Sequence, residues 1–246
     1  MTSESGPIEP AVTGPTGPER TLAEARTALR RESDQAARGT SREVEVLGAE
    51  RLVFFSDAVV AIAITLLALD LPVPTGTDNR GVLDAMRADS DVYAAFLISF
   101  AVIGGNWFDH HLVFKYVTAI PARLRSANMV WLLMIVLTPF VTRTLTADGG
   151  FEVRFILYAS VQALATLTFM VMVRVIDRSG VLRPDAPPRL LAEEYWRMGV
   201  VSAMFLLSIP VALFTQWAYL CWIVVPVAAR WYRRLRLVGQ VRRARA

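Results

Sequence analysis

The chain of 246 residues has a single cysteine, Cys221, and two histidines, His110 and His111. One thiol excludes an internal disulfide and any cysteine-based zinc cluster. Two adjacent imidazoles leave no room for a conventional multi-histidine metal site, so no metal and no cofactor is expected. No glycine-rich phosphate loop or nucleophile elbow occurs, and no nucleophile stands beside a candidate base, which argues against an enzyme. Lysine is also scarce: the +4 net charge is carried almost entirely by arginine, set beside apolar blocks rather than in a soluble basic patch. That placement argues against nucleic acid and for a membrane.

What is abundant is apolar length. Hydrophobic residues make up 54% of the chain, and they gather in long blocks, the pattern of membrane spans. The first block follows about fifty polar residues, so the first helix is expected to direct insertion itself. From Leu52 to Leu71 only Asp57 and Asp70 are charged. At about 1.5 Å per residue such a helix crosses the roughly 30 Å hydrocarbon core of a bilayer. Asp70 lies at the far end, within reach of water. Asp57 lies about one turn inside the near end, where a charge is costly and is either paired or functional.

Helical phase divides this segment. Steps of three and four residues share a face, so Ile62, Leu66 and Leu69 form one apolar stripe with Thr65 on its flank and Phe55 near its extension. Asp57 falls on roughly the opposite side, near Val60 and Ile64. Two roles are open for Asp57: a structural polar network with Ser56, edged by Arg51, or an ion ligand. Candidate partners at the same level are His110, His111 and Asn128. His110 and His111 could sense pH, or pack at the interface with one ring on Trp107.

Residues 1–50 are expected to be a largely disordered tail, with a surface helix possible over Thr21–Arg38. Pro72 and Pro74 end the first span, and 75–91 reads as a short polar loop. Further spans are expected near Val92–Phe114, Asn128–Leu145, Phe155–Ile176, Met198–Phe214 and Trp217–Trp231. This makes an all-α, six-helix membrane domain over 51–235, followed by a basic tail over 236–246. If the N-terminus is cytoplasmic, 22 of the 26 basic residues fall on that side, leaving Arg80, Arg87, Arg143 and Arg154 outside. The asymmetry predicts both termini in the cytoplasm of a multi-pass protein of the cell membrane. Its arginine clusters could also meet anionic lipid.

Arg51-x-x-x-Phe55-Ser56-Asp57, followed by Ala61-Ile62 and Thr65-Leu66-Leu67, resembles the signature of the transmembrane protein 175 family. Those proteins are the endosomal and lysosomal potassium channels and their bacterial relatives. Ser99-Phe100 to Trp107 with His110-His111, and Asn128 to Pro139-Phe140, are similar to the family too. The resemblance covers about residues 50–235. It implies a homotetramer whose first helices line a pore that prefers potassium among monovalent cations. It further implies a constriction at Ile62, Leu66 and Leu69, a selectivity role for Thr65, and a packing hub at Arg51, Phe55, Ser56 and Asp57 with Trp107, His110, His111 and Asn128. Two other readings stay open: a proton-coupled transporter using Asp57 and His110, and a non-conducting membrane scaffold.

Overall fold

The computed structural model describes residues 17–222, in two units that divide after Val46. In the first unit the chain is helical from Gly17, within α1 (Gly17–Leu69), and Arg26 to Gln35 are exposed. The surface helix considered possible over Thr21–Arg38 falls within α1. Alanine, leucine, glutamate and arginine dominate there, all of them strong helix formers. Residues 1–16 and the basic tail 236–246 lie outside the described residues.

The second unit begins with the apolar part of α1. It continues through α2 (Asn79–Ala88), α3 (Ser90–Phe114), α4 (Ala122–Thr146), α5 (Phe151–Ser179) and α6 (Leu190–Ala212), then a 3₁₀ turn at Gln216–Leu220. Among the described residues five helices are long and apolar enough to cross a membrane, including Glu45–Leu69 of α1. The fold is all-α and the chain is a multi-pass membrane protein. Most of the sixth span expected over Trp217–Trp231 lies outside the described residues.

Three boundaries differ from the sequence reading, each for a local reason. The loop expected over 75–91 contains α2, because the Asp78 carboxylate accepts the Gly81 amide at 2.8 Å and caps a helix start. A side chain there satisfies one of the amides that a helix leaves unpaired at its N-terminus. The basic connection expected over Lys115–Ser126 is shorter, because α4 begins right after Pro121, with Arg123 and Arg125 exposed on its first turn. Helix α6 starts at Leu190 rather than Met198, and Glu194 and Arg197 in its added turns are mutually paired (below).

Helix α4 packs on α5, and α5 on α6, with α3 against α4. One apolar cluster joins Val60, Ala63 and Leu67 of α1 to Ile103, Trp131, Ile135, Phe169 and Met198. A second gathers Val141, Phe155, Tyr158, Met204 and Phe205. Pro139 lies inside α4, which nevertheless continues. The Thr138 and Thr142 hydroxyls donate to carbonyls four residues back, at 3.0 and 2.7 Å, supplying local bonds around the proline's missing N–H. At one end, Thr118 N donates to Val181 O and Arg183 N to Tyr116 O, both at 2.9 Å, which ties the α3–α4 loop to the α5–α6 loop. Asp70 pairs with Arg143 at 3.3 Å, joining the ends of α1 and α4.

Candidate functional site: an anchored helix with one open face

The first transmembrane helix has two unlike sides. Ser56, Val60, Ala63 and Leu67, at steps of four and three, are buried against the other helices. On the other side Ile62, Leu66 and Leu69 are 59%, 42% and 78% exposed. Thr65 is exposed with them, its hydroxyl donating to Ile62 O at 2.9 Å. That bond uses the proton and leaves the oxygen free to accept or coordinate. Ile64, roughly a fifth of a turn from the centre of the buried ridge, packs against the core cluster. The chain therefore presents an open apolar column with a hydroxyl on its flank.

What holds this helix in rotation is a directed chain of hydrogen bonds. The Ser56 hydroxyl donates to Leu52 O at 2.8 Å, and Asn128 Nδ2 donates to Ser56 Oγ at 3.0 Å. Asn128 Oδ1 lies 3.0 Å from His110 Nε2. Because that oxygen can only accept, the ring proton belongs on Nε2, and each link has a single sense. Ser56, Asn128 and His110 are all fully buried. The His110 ring is stacked between Phe114 and Trp131, at centroid distances of 4.0 and 4.7 Å. Three helices, α1, α3 and α4, are thus fixed to one another by polar bonds inside an apolar shell. Such bonds persist in a membrane because breaking them leaves groups with no water to turn to.

Asp57 lies beside this chain. Its Oδ1 accepts the Trp107 indole N–H at 2.9 Å, and Trp107 stacks on His111 at 5.5 Å. Of the residues read from the sequence as one network, the structure brings together Ser56, Asn128 and His110 in one group and Asp57, Trp107 and His111 in another. Arg51 and Phe55 are exposed, and Arg51 makes no ion pair among the described residues. The histidine and asparagine partners considered for Asp57 are engaged elsewhere, and the indole takes their place.

Two polar groups escaped the sequence reading. Arg197 of α6 pairs with Asp109 of α3 and, at 2.5 Å, with Glu194 one turn back. Asp109 and Glu194 are buried and Arg197 is partly so. The signal was present, since an ionisable residue within an apolar span calls for a partner, but 88 positions separate Asp109 from Arg197. The other group links Tyr158, Ser99 and Thr142 through hydroxyls at 3.1 and 2.8 Å, across α5, α3 and α4. Among the described residues no group of three or more His, Cys, Asp or Glu could hold a metal ion.

These features define a class: a polytopic helical membrane protein whose first helix is locked by buried polar bonds on one side and left open on the other. Residues 51–139 match the family described as Endosomal/lysosomal potassium channel TMEM175. Over 144 residues the chain is 37% identical to a protein of Streptomyces collinus named as a potassium channel, covering 56% of this chain and 70% of that one. It is 38% identical over 81 residues to the human protein named as the endosomal/lysosomal proton channel TMEM175, of whose length it spans only 16%. The fold matches the crystal structure of a TMEM175 homologue from Chamaesiphon minutus, described as a lysosomal potassium-selective channel. The TM-score is 0.60 at 24% identity, over 74% of this chain and 96% of that one. The chain belongs to the TMEM175 family of ion channels, and that family is not one of enzymes.

Proposed function

We propose that the chain is one subunit of a potassium-preferring cation channel, a homotetramer in which the open face of α1 lines a central pore. The observation that carries this reading is the exposure of Ile62, Leu66 and Leu69 on a helix whose opposite side is firmly buried. A single helix cannot enclose a path, but closed symmetry repeats its face around an axis. Rings of Ile62, Leu66 and Leu69 then make an apolar neck that gates by wetting and dewetting. The Thr65 oxygen, its proton already committed to Ile62 O, faces the path as an acceptor for a dehydrated cation. Asp57 acts as an anchor rather than an ion ligand, since it sits on the flank held by Trp107. Both termini lie in the cytoplasm and the assembly resides in the cell membrane. The relative from Streptomyces collinus carries the potassium-channel name, which supports the choice of cation.

Purified protein in liposomes, normalised to assembled material, tests this. Wild type should dissipate a potassium gradient passively. Ile62→Asn should wet the neck, raising flux and lowering discrimination against sodium. Ile64→Asn, about 200° further around the helix, should disturb packing without opening a path. Thr65→Val should keep conduction and reduce potassium preference. Flux that rises with Ile64→Asn and not with Ile62→Asn would mean another face lines the path. Flux only under a proton gradient would favour the transporter, although Asp57 and His110 bond to different partners and not to each other. No flux above empty liposomes in any variant leaves the scaffold.

A further inference from the structure

One helix stripe outside the site described above changes character along its length. On α5, Leu157, Leu164, Leu167 and Val171 are exposed, and steps of three, four and seven keep them on one face. The same face continues to Arg174 and Arg178, also exposed. From Leu164 to Arg174 the helix rises about 15 Å, the depth of one leaflet's hydrocarbon. Apolar surface thus gives way to two cations at the level where lipid headgroups begin.

At that level the surface is concave. A groove of about 560 Å³ runs between the end of α5 and the start of α6, with Arg174, Asp177 and Arg178 on one wall and Leu191, Tyr195 and Trp196 on the other. Tyr195 and Trp196 are partly exposed, and such rings favour the membrane–water boundary. None of the ion pairs among the described residues engages Arg174, Asp177 or Arg178. The two guanidiniums outnumber the one carboxylate, so the groove carries excess positive charge.

We propose that this groove binds an anionic phospholipid. The phosphodiester takes charged hydrogen bonds from Arg174 and Arg178, for which planar guanidinium donors are suited. One acyl chain lies along Val171, Leu167 and Leu164. Leu191, Tyr195 and Trp196 close the far wall. Asp177 faces the same groove and opposes an anion, which sets the affinity below that of a purely basic cleft. The site rests on the membrane reading and not on conduction. With the termini cytoplasmic, as proposed above, the groove opens to the inner leaflet, where anionic lipid attracts basic segments.

The test uses purified full-length protein in detergent, titrated with phosphatidylglycerol, phosphatidylcholine or inorganic phosphate, with native mass spectrometry and thermal unfolding as readouts. Wild type should retain phosphatidylglycerol and gain thermal stability from it, well beyond phosphatidylcholine. Arg174→Gln/Arg178→Gln should weaken retention about tenfold or more, each surface cation contributing on the order of fivefold. Arg174→Lys/Arg178→Lys should restore much of it, which shows that the double glutamine variant fails by charge and not by misfolding. Asp177→Asn should tighten retention. Equal retention of both lipids, or of phosphatidylglycerol by wild type and the double glutamine variant, overturns the proposal. So does displacement of the lipid by inorganic phosphate, which would make this an anion site. A change in oligomeric state with no change in bound lipid would assign the groove to a neighbouring subunit instead.

Discussion

At the scale of single residues, Asn128 does more than any other polar group to hold the first helix in place. Its amide is the only group in the chain of bonds that both donates and accepts across helices, giving to Ser56 and taking from His110. A leucine there has the right bulk and neither function. Asn128→Leu should strand the Ser56 oxygen and the His110 ring nitrogen in an apolar shell and cost about 1–3 kcal/mol for the unsatisfied groups. The cost stays near the lower end if the helices find other partners inside the bilayer. Thermal unfolding in detergent, followed together with the fraction of protein running as a single species, measures it. An Asn128→Leu protein as stable as wild type would show that apolar packing around His110 and Trp131 alone positions α1.

Among the elements, α2 makes the most local claim. It has no buried residue and owes its start to a single cap, Asp78 to the Gly81 amide. Asp78→Ala should fray its first turn at a cost of about 1 kcal/mol. Hydrogen exchange should quicken at residues 79–83 while the amides of α4 and α5 keep their protection. Unchanged exchange at those residues would mean that packing on α3 and not the cap maintains the helix. The same element shows where a sequence reading stops. Long apolar runs were legible because a bilayer demands them, and Val92–Phe114 differs from α3 by only two residues at its start. The two-sidedness of α1 was legible because helical phase is fixed at every step. A capped ten-residue helix was not, because proline, glycine and aspartate around it are equally the vocabulary of turns. The start of α6 was hidden for another reason: Glu194 and Arg197 count as polar in any window, and only the pairing of Arg197 with Glu194 and with Asp109 on a distant helix removes that penalty. In the hub, Ser56, Asp57, Trp107, His110, His111 and Asn128 could be named as candidates, but not that an indole would bond Asp57 and an asparagine His110, nor that Arg51 and Phe55 would stand exposed.

For the molecule as a whole, the distribution of arginine and the loops joined at each end make one orientation testable. The α3–α4 loop and the α5–α6 loop meet at the Val117–Leu182 bridge, so they share a side. The α4–α5 turn lies across the span of α4 from them. The basic residues at the end where those two loops meet, Lys115, Arg123, Arg125, Arg174, Arg178, Arg183 and Arg189, outnumber Arg80, Arg87, Arg143 and Arg154 at the other, and basic flanks stay in the cytoplasm. In a Cys221→Ser background, Asp148→Cys should react with a membrane-impermeant thiol reagent on intact cells, whereas Asp185→Cys should react only after the cells are opened. Asp148 is preferred to its neighbour because Gly149 has φ of 118°, where a side chain brings strain. Asp185 is exposed, and its pair with Arg183 at 2.8 Å is a surface contact, so its loss changes stability little. Labelling of Asp185→Cys alone on intact cells would invert the chain in the membrane. It would place the basic groove of α5 and α6 in the outer leaflet, and it would turn the Asp70–Arg143 end of the first helix toward the cytoplasm. The neck at Ile62, Leu66 and Leu69 would survive that inversion, because it depends on which face of α1 is open and not on which way the helix points.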